Sequence, residues 1–240
     1  MKGGAQMKII TIPDLHGRTC WQEINPNEYD LMVFLGDYTD SYTESNLDIK
    51  SNLLSVISLK KHHYDKVVLL LGNHELFYWF LNTRFRCSGN RNEIMHDFYQ
   101  IFKENRELFK VAHQIKNYLW THAGVHHGWY QYEFPFSSYN VADDINDAFR
   151  QNVDSLFHVG MRRGGFKDVG GPFWLDKYHL SKKPLPNYHQ IVGHTPVKKI
   201  TTIDYHNASV TFCDCLMYEE EYYVLKIDDN EQTEKKKKKK

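Results

Sequence analysis

The chain has 240 residues, 41% of them hydrophobic, enough for one globular domain with a sizeable core. Lys+Arg and Asp+Glu are each 30, so the formal net charge is zero, and the run Lys235–Lys240 leaves the remainder mildly acidic. No basic patch within the body of the sequence marks a nucleic-acid binder, the longest apolar runs fall far short of a bilayer span, and four cysteines without a CxxC pair argue against a disulfide framework.

The expectation is one domain over residues 1–230 with a charged, disordered tail over 231–240. Met1-Lys2-Gly3-Gly4 opens no apolar signal-peptide region, so a cytoplasmic protein with no membrane association is expected. The sequence assigns no oligomeric state.

In chain order, Lys8–Ile12 is a short β-branched run ending at Pro13-Asp14 and reads as a buried strand. Leu31–Leu35 is a second, closed by Gly36-Asp37. Between Leu47 and Leu59 the residues Leu47, Leu53, Leu54 and Ile57 predict an amphipathic helix. Val67–Leu71 is a third strand, closed by Gly72-Asn73. The segment from Leu76 to Ile115 carries Phe77, Tyr78, Trp79, Phe80, Phe98, Tyr99 and Phe102 at helical spacing. It reads as helix packed on the sheet; the sharper alternative is a lid contributing Arg84, Arg86 or Arg91. Tyr118–Trp120 leads to Thr121-His122, and Gln190–Val192 leads to Gly193-His194. Three alternating stretches, Ile200–Asp204, Ser209–Asp214 and Tyr222–Ile227, close the chain as strands.

One event recurs five times: an apolar strand ends and a metal-capable residue follows at once. Continuous apolar strands separated by helical stretches suit a sheet covered on both faces, and such sheets gather functional groups beyond the carboxyl ends of their strands. Asp14-x-His16, Asp37 with Asp40, Asn73-His74-Glu75, His122 and His194 would then converge. Carboxylate, imidazole and amide together suit transition-metal ions rather than calcium or an all-sulfur site. Two such ions about 3.5–4 Å apart clamp the attacking and leaving oxygens of an in-line displacement at phosphorus. A histidine near neutral pKa, held by a carboxylate, can protonate the leaving alkoxide.

Asp14-Leu15-His16-Gly17, Gly36-Asp37-Tyr38-Thr39-Asp40, Gly72-Asn73-His74-Glu75, His122-Ala123-Gly124 and Gly193-His194-Thr195-Pro196 resemble the calcineurin-like metallophosphoesterases. The resemblance is to the branch holding the phosphoprotein phosphatases and the symmetrical diadenosine tetraphosphatases. The motifs run in family order from residue 14 to 196. The resemblance implies an α/β fold, a sandwich of two mixed β-sheets flanked by helices. It also implies two divalent ions, manganese first, with iron, zinc, nickel or cobalt as alternatives. Asp14 and His16 would ligate the first ion, Asp37 would bridge, and Asn73, His122 and His194 would ligate the second. His74 would be the general acid and Asp40 its orienting partner.

Two departures matter. The phosphoprotein phosphatases place a phosphate-gripping arginine directly after the second aspartate of this motif, where this chain has Ser41. Arg162 and Arg163, beside Gly164-Gly165, are the candidates to replace it, since a guanidinium grips phosphate bidentately. Second, His122-Ala123-Gly124 and Gly171-Pro172-Phe173-Trp174 are closer to bacterial and phage members and to the diadenosine-tetraphosphatase side.

The expected reaction is hydrolysis of phosphate monoesters by direct attack of a metal-bridging hydroxide, with a phosphoserine- or phosphothreonine-containing protein as substrate. The alternative is a dinucleoside polyphosphate of the diadenosine tetraphosphate type, which would call for a base-stacking aromatic wall beside the metals. An idle scaffold of the same fold is disfavoured, because all six ligands and the acid are present. Histidines such as His62, His113, His158 and His189 are read as structural, and so are Asp176 and Asp214.

Overall fold

A computed structural model describes residues 6–134 and 140–228; the lysine run and the expected boundary near residue 230 lie outside them. The strands are β1 (Gln6–Ile12), β2 (Leu31–Phe34), β3 (Val67–Leu70), β4 (Phe109–Lys110), β5 (Ala112–Ile115), β6 (Tyr118–Thr121), β7 (His189–Val192), β8 (Thr201–Asp204), β9 (Ser209–Phe212) and β10 (Tyr223–Asp228). The helices are α1 (Asn46–His62), α2 (Asn73–Phe80), α3 (Met95–Glu104), α4 (His127–Glu133), α5 (Val141–Arg150) and α6 (Lys177–Lys182).

The strands form two five-stranded mixed sheets, ordered β10-β1-β2-β3-β4 and β5-β6-β7-β9-β8. Between them lie Ile9, Val33, Val68 and Leu70 from one sheet and Trp120, Ile191 and Cys213 from the other. The period-2 alternation puts Ile10, Ile12, Met32, Phe34 and Leu69 on the opposite face, against helix residues such as Leu53, Phe77 and Phe98. The second sheet's outer face holds Val192, Val210 and Phe212 with Leu180 of α6. Each sheet is thus apolar on both faces, which is why the strand sequences read as continuous apolar runs.

Helix α1 begins at Ser45, whose hydroxyl accepts from the Asp48 N–H at 3.2 Å. Its buried stripe is Ile49, Leu53, Val56 and Ile57, spaced i, i+4, i+7, i+8. Leu47 and Leu54, expected on that stripe, are exposed. The aromatic segment does pack on the sheet, since Phe77, Tyr78, Phe98 and Phe102 are fully buried, but it is α-helical only over Asn73–Phe80 and Met95–Glu104. Phe109–Lys110 extends the first sheet and Ala112–Ile115 opens the second. These short strands are held by backbone pairing to β3 and β6, a tertiary constraint that overrides the local pattern. All four cysteines are free, and Cys213 and Cys215 lie just past the end of β9. Among the described residues no helix is long and apolar enough to cross a membrane.

Register decides what the sheets deliver. Ile12 pairs with Phe34 and Phe34 with Leu69, so the carboxyl ends of β1, β2 and β3 lie level. Trp120 pairs with Ile191 and Ile191 with Thr211, which levels the ends of β6, β7 and β9. A polar bond within the interface ties the sheets: the buried Trp120 indole Nε1 donates to Thr11 Oγ1 at 3.0 Å. Trp120→Phe should keep the fold but lower stability by about 2–4 kcal/mol, the combined effect of a smaller ring and an unpaired hydroxyl. Urea unfolding checks this; a loss under about 0.5 kcal/mol, within the range of neutral substitutions, would show that the bond does not tie the sheets.

Candidate metal centre

Six strand ends meet at Asp37. Its Oδ2 lies 3.5 Å from His122 Nε2, 3.7 Å from His16 Nε2 and 4.0 Å from His74 Nε2. Asp14, from the end of β1, accepts the His194 N–H at 2.9 Å through Oδ2. His122 Nε2 is 2.9 Å from Asn73 Oδ1 and 3.1 Å from His194 Nδ1. All of these side chains except His16 and His74 are buried.

The hydrogen-bond pattern fixes which ring nitrogens carry protons. His122 Nδ1 sits 3.0 Å from the Leu35 carbonyl, and His16 Nδ1 sits 3.1 Å from the carbonyls of Thr39 and Asp40. A carbonyl only accepts, so each Nδ1 donates and each Nε2 turns a lone pair inward. Those lone pairs face Asn73 Oδ1 and the Asp37 carboxylate, which are acceptors too. Asp14 Oδ1 and His194 Nε2 are buried with no hydrogen-bond partner. Acceptors gathered on acceptors in a buried space repel one another unless a cation lies among them.

The electrostatics agree. Burial raises Asp14, with the charges of Asp214 and Asp37 adding to it. Burial and Asp37 likewise push Glu75 and Asp214 up to about 7 each. Burial keeps His122 and His194 below the ordinary histidine value, so both are neutral imidazoles, the form that ligates metals. This donor set of carboxylate, imidazole and amide fits borderline divalent cations, and two trios already bring their ligand atoms within 4.8 Å: His16, Asp37 and His74, then Asp37, His122 and His194.

The backbone carries strain at the same place. His16, Asp37, Asp40 and His194 have φ of 47°, 50°, 60° and 64°, in the left-handed region. Such residues cost of order 1–3 kcal/mol each and persist where surrounding structure enforces them. Part of that enforcement is Glu75 in α2, whose carboxylate accepts from the N–H groups of Asp37 and Gly72, both at 2.8 Å, and of Thr39 at 3.1 Å. Glycine is required at two close approaches: a Cβ on Gly72 would collide with Asp37 Oδ1, and one on Gly193 with Asp14 Oδ1.

Beside the metal-capable residues, His74 Nδ1 lies 2.8 Å from Asp40 Oδ2. Tyr78 Oη donates to Asp40 Oδ1 and Asn90 Nδ2 to Oδ2. Burial works against a charged His74, but Asp37 and the Asp40 bond outweigh it and hold its pKa well above the ordinary histidine value.

The structure therefore brings Asp14, His16, Asp37, Asn73, His122, His194, His74 and Asp40 together. It separates the two arginines. Arg163 donates to the Thr195 hydroxyl beside His194 and pairs with Asp176 at 3.3 Å, while Arg162 is exposed and lies over the Tyr178 ring, away from the centre. Arg84 pairs with Asp154 and Arg86 with Asn92, and Arg91 clasps the carbonyls of Ser41 and Glu44. Sequence reasoning gave no separate role to Glu75, Tyr78 or Asn90 and read Asp214 as structural. Asp214 had a weaker signal: it stands two residues past β9, a strand of alternating pattern.

The chain matches the model of the calcineurin-like phosphoesterases over residues 7–209 and belongs to that family. It is a metal-dependent phosphoester hydrolase. Its fold is similar to that of a cold-active protein-tyrosine phosphatase of a psychrophilic Shewanella species, at 18% identity and a TM-score of 0.57, covering 93% of this chain and 76% of that one. It is also similar to a protein serine/threonine phosphatase from Saccharomyces cerevisiae, at 15% identity and a TM-score of 0.51, covering 88% and 68%. No curated protein matches the chain.

Gly193→Ala should fold and yet fail to retain metal, because its methyl group enters the space of Asp14 Oδ1. Metal content after purification, read beside circular dichroism, checks this; a folded variant with wild-type metal content would contradict it.

Proposed function

We propose that the chain hydrolyses phosphoserine and phosphothreonine monoesters in proteins, using two divalent ions, manganese first. Asp14, His16 and Asp37 would hold one ion, and Asp37, Asn73, His122 and His194 the other. When bound, the ions supply Lewis-acid polarisation of the phosphoryl oxygens and a water acidic enough to attack near neutral pH.

The observation that carries this reading is the His74–Asp40 pair. Asp40 accepts from Nδ1, which leaves Nε2 as the proton-bearing end that faces Asp37. A serine or threonine alkoxide is a strongly basic leaving group and needs such a proton; a phenolate needs it far less. Arg163 stands where it can turn from Thr195 and Asp176 to a phosphate oxygen. The family and the two protein phosphatases of similar fold are consistent with a phosphoprotein substrate. The dinucleoside polyphosphate reading called for a base-stacking wall, and Phe77, Tyr78, Phe98 and Phe102 are buried in the core instead.

His74→Asn should lower kcat on a phosphothreonine peptide by about 10²–10⁴-fold and affect p-nitrophenyl phosphate much less, because nitrophenolate leaves unaided. Asp37→Ala should abolish both activities. Equal losses on the two substrates in His74→Asn would remove the general-acid role.

A further inference from the structure

A cleft of about 610 Å³ opens beside the metal centre. Three lining residues fix its position. Cys87 Sγ lies 3.7 Å from Asn73 Nδ2, the Trp174 ring stands edge-on to His194 at 5.8 Å, and Arg163 reaches Thr195. A phosphate held at Asp37 would therefore send the rest of its molecule along this cleft.

The walls are basic. Arg84 and Arg86 come from the 3₁₀ turn Thr83–Phe85 and the residue after it, and Arg163 and Lys167 from the facing loop. That loop is closed on itself: the Met161 N–H donates to the Lys167 carbonyl at 2.8 Å and the Gly165 N–H to the Gly160 carbonyl at 3.1 Å. Asp154 is the one carboxylate in the lining among the described residues, and it is committed to Arg84. Asp176 serves both Arg162 and Arg163. Arg86 lies over the Phe77 ring and donates to the neutral Asn92 amide, which holds the guanidinium without cancelling its charge. The cleft is a local reversal of the chain's own sign, since without Lys235–Lys240 24 basic residues face 30 acidic ones. Fixed charge of one sign lining a cleft raises the local concentration of oppositely charged ligand.

The base of the cleft argues for polypeptide over nucleotide. The Phe85 and Phe157 rings pack on each other at 5.0 Å and 58°, and Phe80 stands 4.9 Å from Phe85. Both Phe85 and Phe157 are buried, so neither ring offers a base an open face to stack on; the aromatics that reach the opening are Phe166, exposed on the facing loop, and Trp174, edge-on to His194. We infer that the cleft binds the polypeptide flanking the scissile phosphate and selects acidic side chains there through Arg86 and Lys167. The inference rests on the phosphoprotein reading above.

The test uses the full chain loaded with Mn²⁺, three phosphothreonine peptides with acidic, neutral and basic flanks, p-nitrophenyl phosphate and diadenosine tetraphosphate. The wild type should favour the acidic over the neutral peptide by about tenfold in kcat/KM, mostly through KM, and the preference should shrink between about 0.05 and about 0.5 M salt. Arg86→Gln and Lys167→Gln should each raise KM for the acidic peptide about two- to fivefold. The double reversal Arg86→Glu with Lys167→Glu should shift the preference to the basic peptide while p-nitrophenyl phosphate turnover stays at the wild-type rate, which also reports an intact fold. Peptides cleaved without flank preference, or a preference untouched by the double reversal, would overturn this inference alone. Turnover of diadenosine tetraphosphate with no peptide cleaved would overturn the phosphoprotein reading and this inference with it.

Discussion

The structure turns on one buried carboxylate. Asp37 is removed from water and ringed by the inward lone pairs of His16 and His122, with Asp14, Asn73 and His194 adding further acceptors. A buried charge without compensation is expensive, and this one is compensated only in part by the charge of His74. The rest of the site makes sense as the coordination sphere of cations that would convert mutual repulsion into attraction. Removing the cations should therefore cost stability as well as activity, since binding energy at such a site is also folding energy.

The two sheets exist, functionally, to hold that arrangement level. Parallel pairing through β1, β2 and β3 delivers Asp14, Asp37 and Asn73 from one sheet, and pairing through β6, β7 and β9 delivers His122, His194 and Asp214 from the other. The turns after those strands are forced into left-handed backbone at His16, Asp37 and His194. Glu75 offsets some of that strain by collecting three backbone N–H groups from two loops. Asp40 is fixed in the same spirit by Tyr78 and Asn90, so that His74 has one orientation available rather than several.

The convergence of these residues was legible in the sequence because each strand and its candidate ligand are adjacent there. An apolar run followed at once by Asp14, Asp37, Asn73, His122 or His194 needs no long-range information to be noticed. The partners that arrive from a distance were not legible. Nothing local in Asn90 says that it reaches Asp40 fifty residues earlier, and Tyr78 looks like one more aromatic in a packed helix. Strands β4 and β5 were hidden because their pairing, not their residue pattern, makes them strands. Arg162 and Arg163 are indistinguishable as neighbours in the chain, and only the 3₁₀ turn Met161–Arg163 sends one toward Thr195 and the other over Tyr178. Asp214 was less legible than the other five, for it stands two residues past β9, a strand of alternating pattern.

The most direct test of the account is a titration of metal-free protein with Mn²⁺, followed by metal analysis and electron paramagnetic resonance. The account predicts two ions per chain and a spin-coupled signal, as expected for ions about 3.5–4 Å apart that share Asp37 as a ligand, with Asp37→Ala losing the coupling. One ion per chain, or two that are magnetically independent, would contradict the claim that Asp37 stands between them.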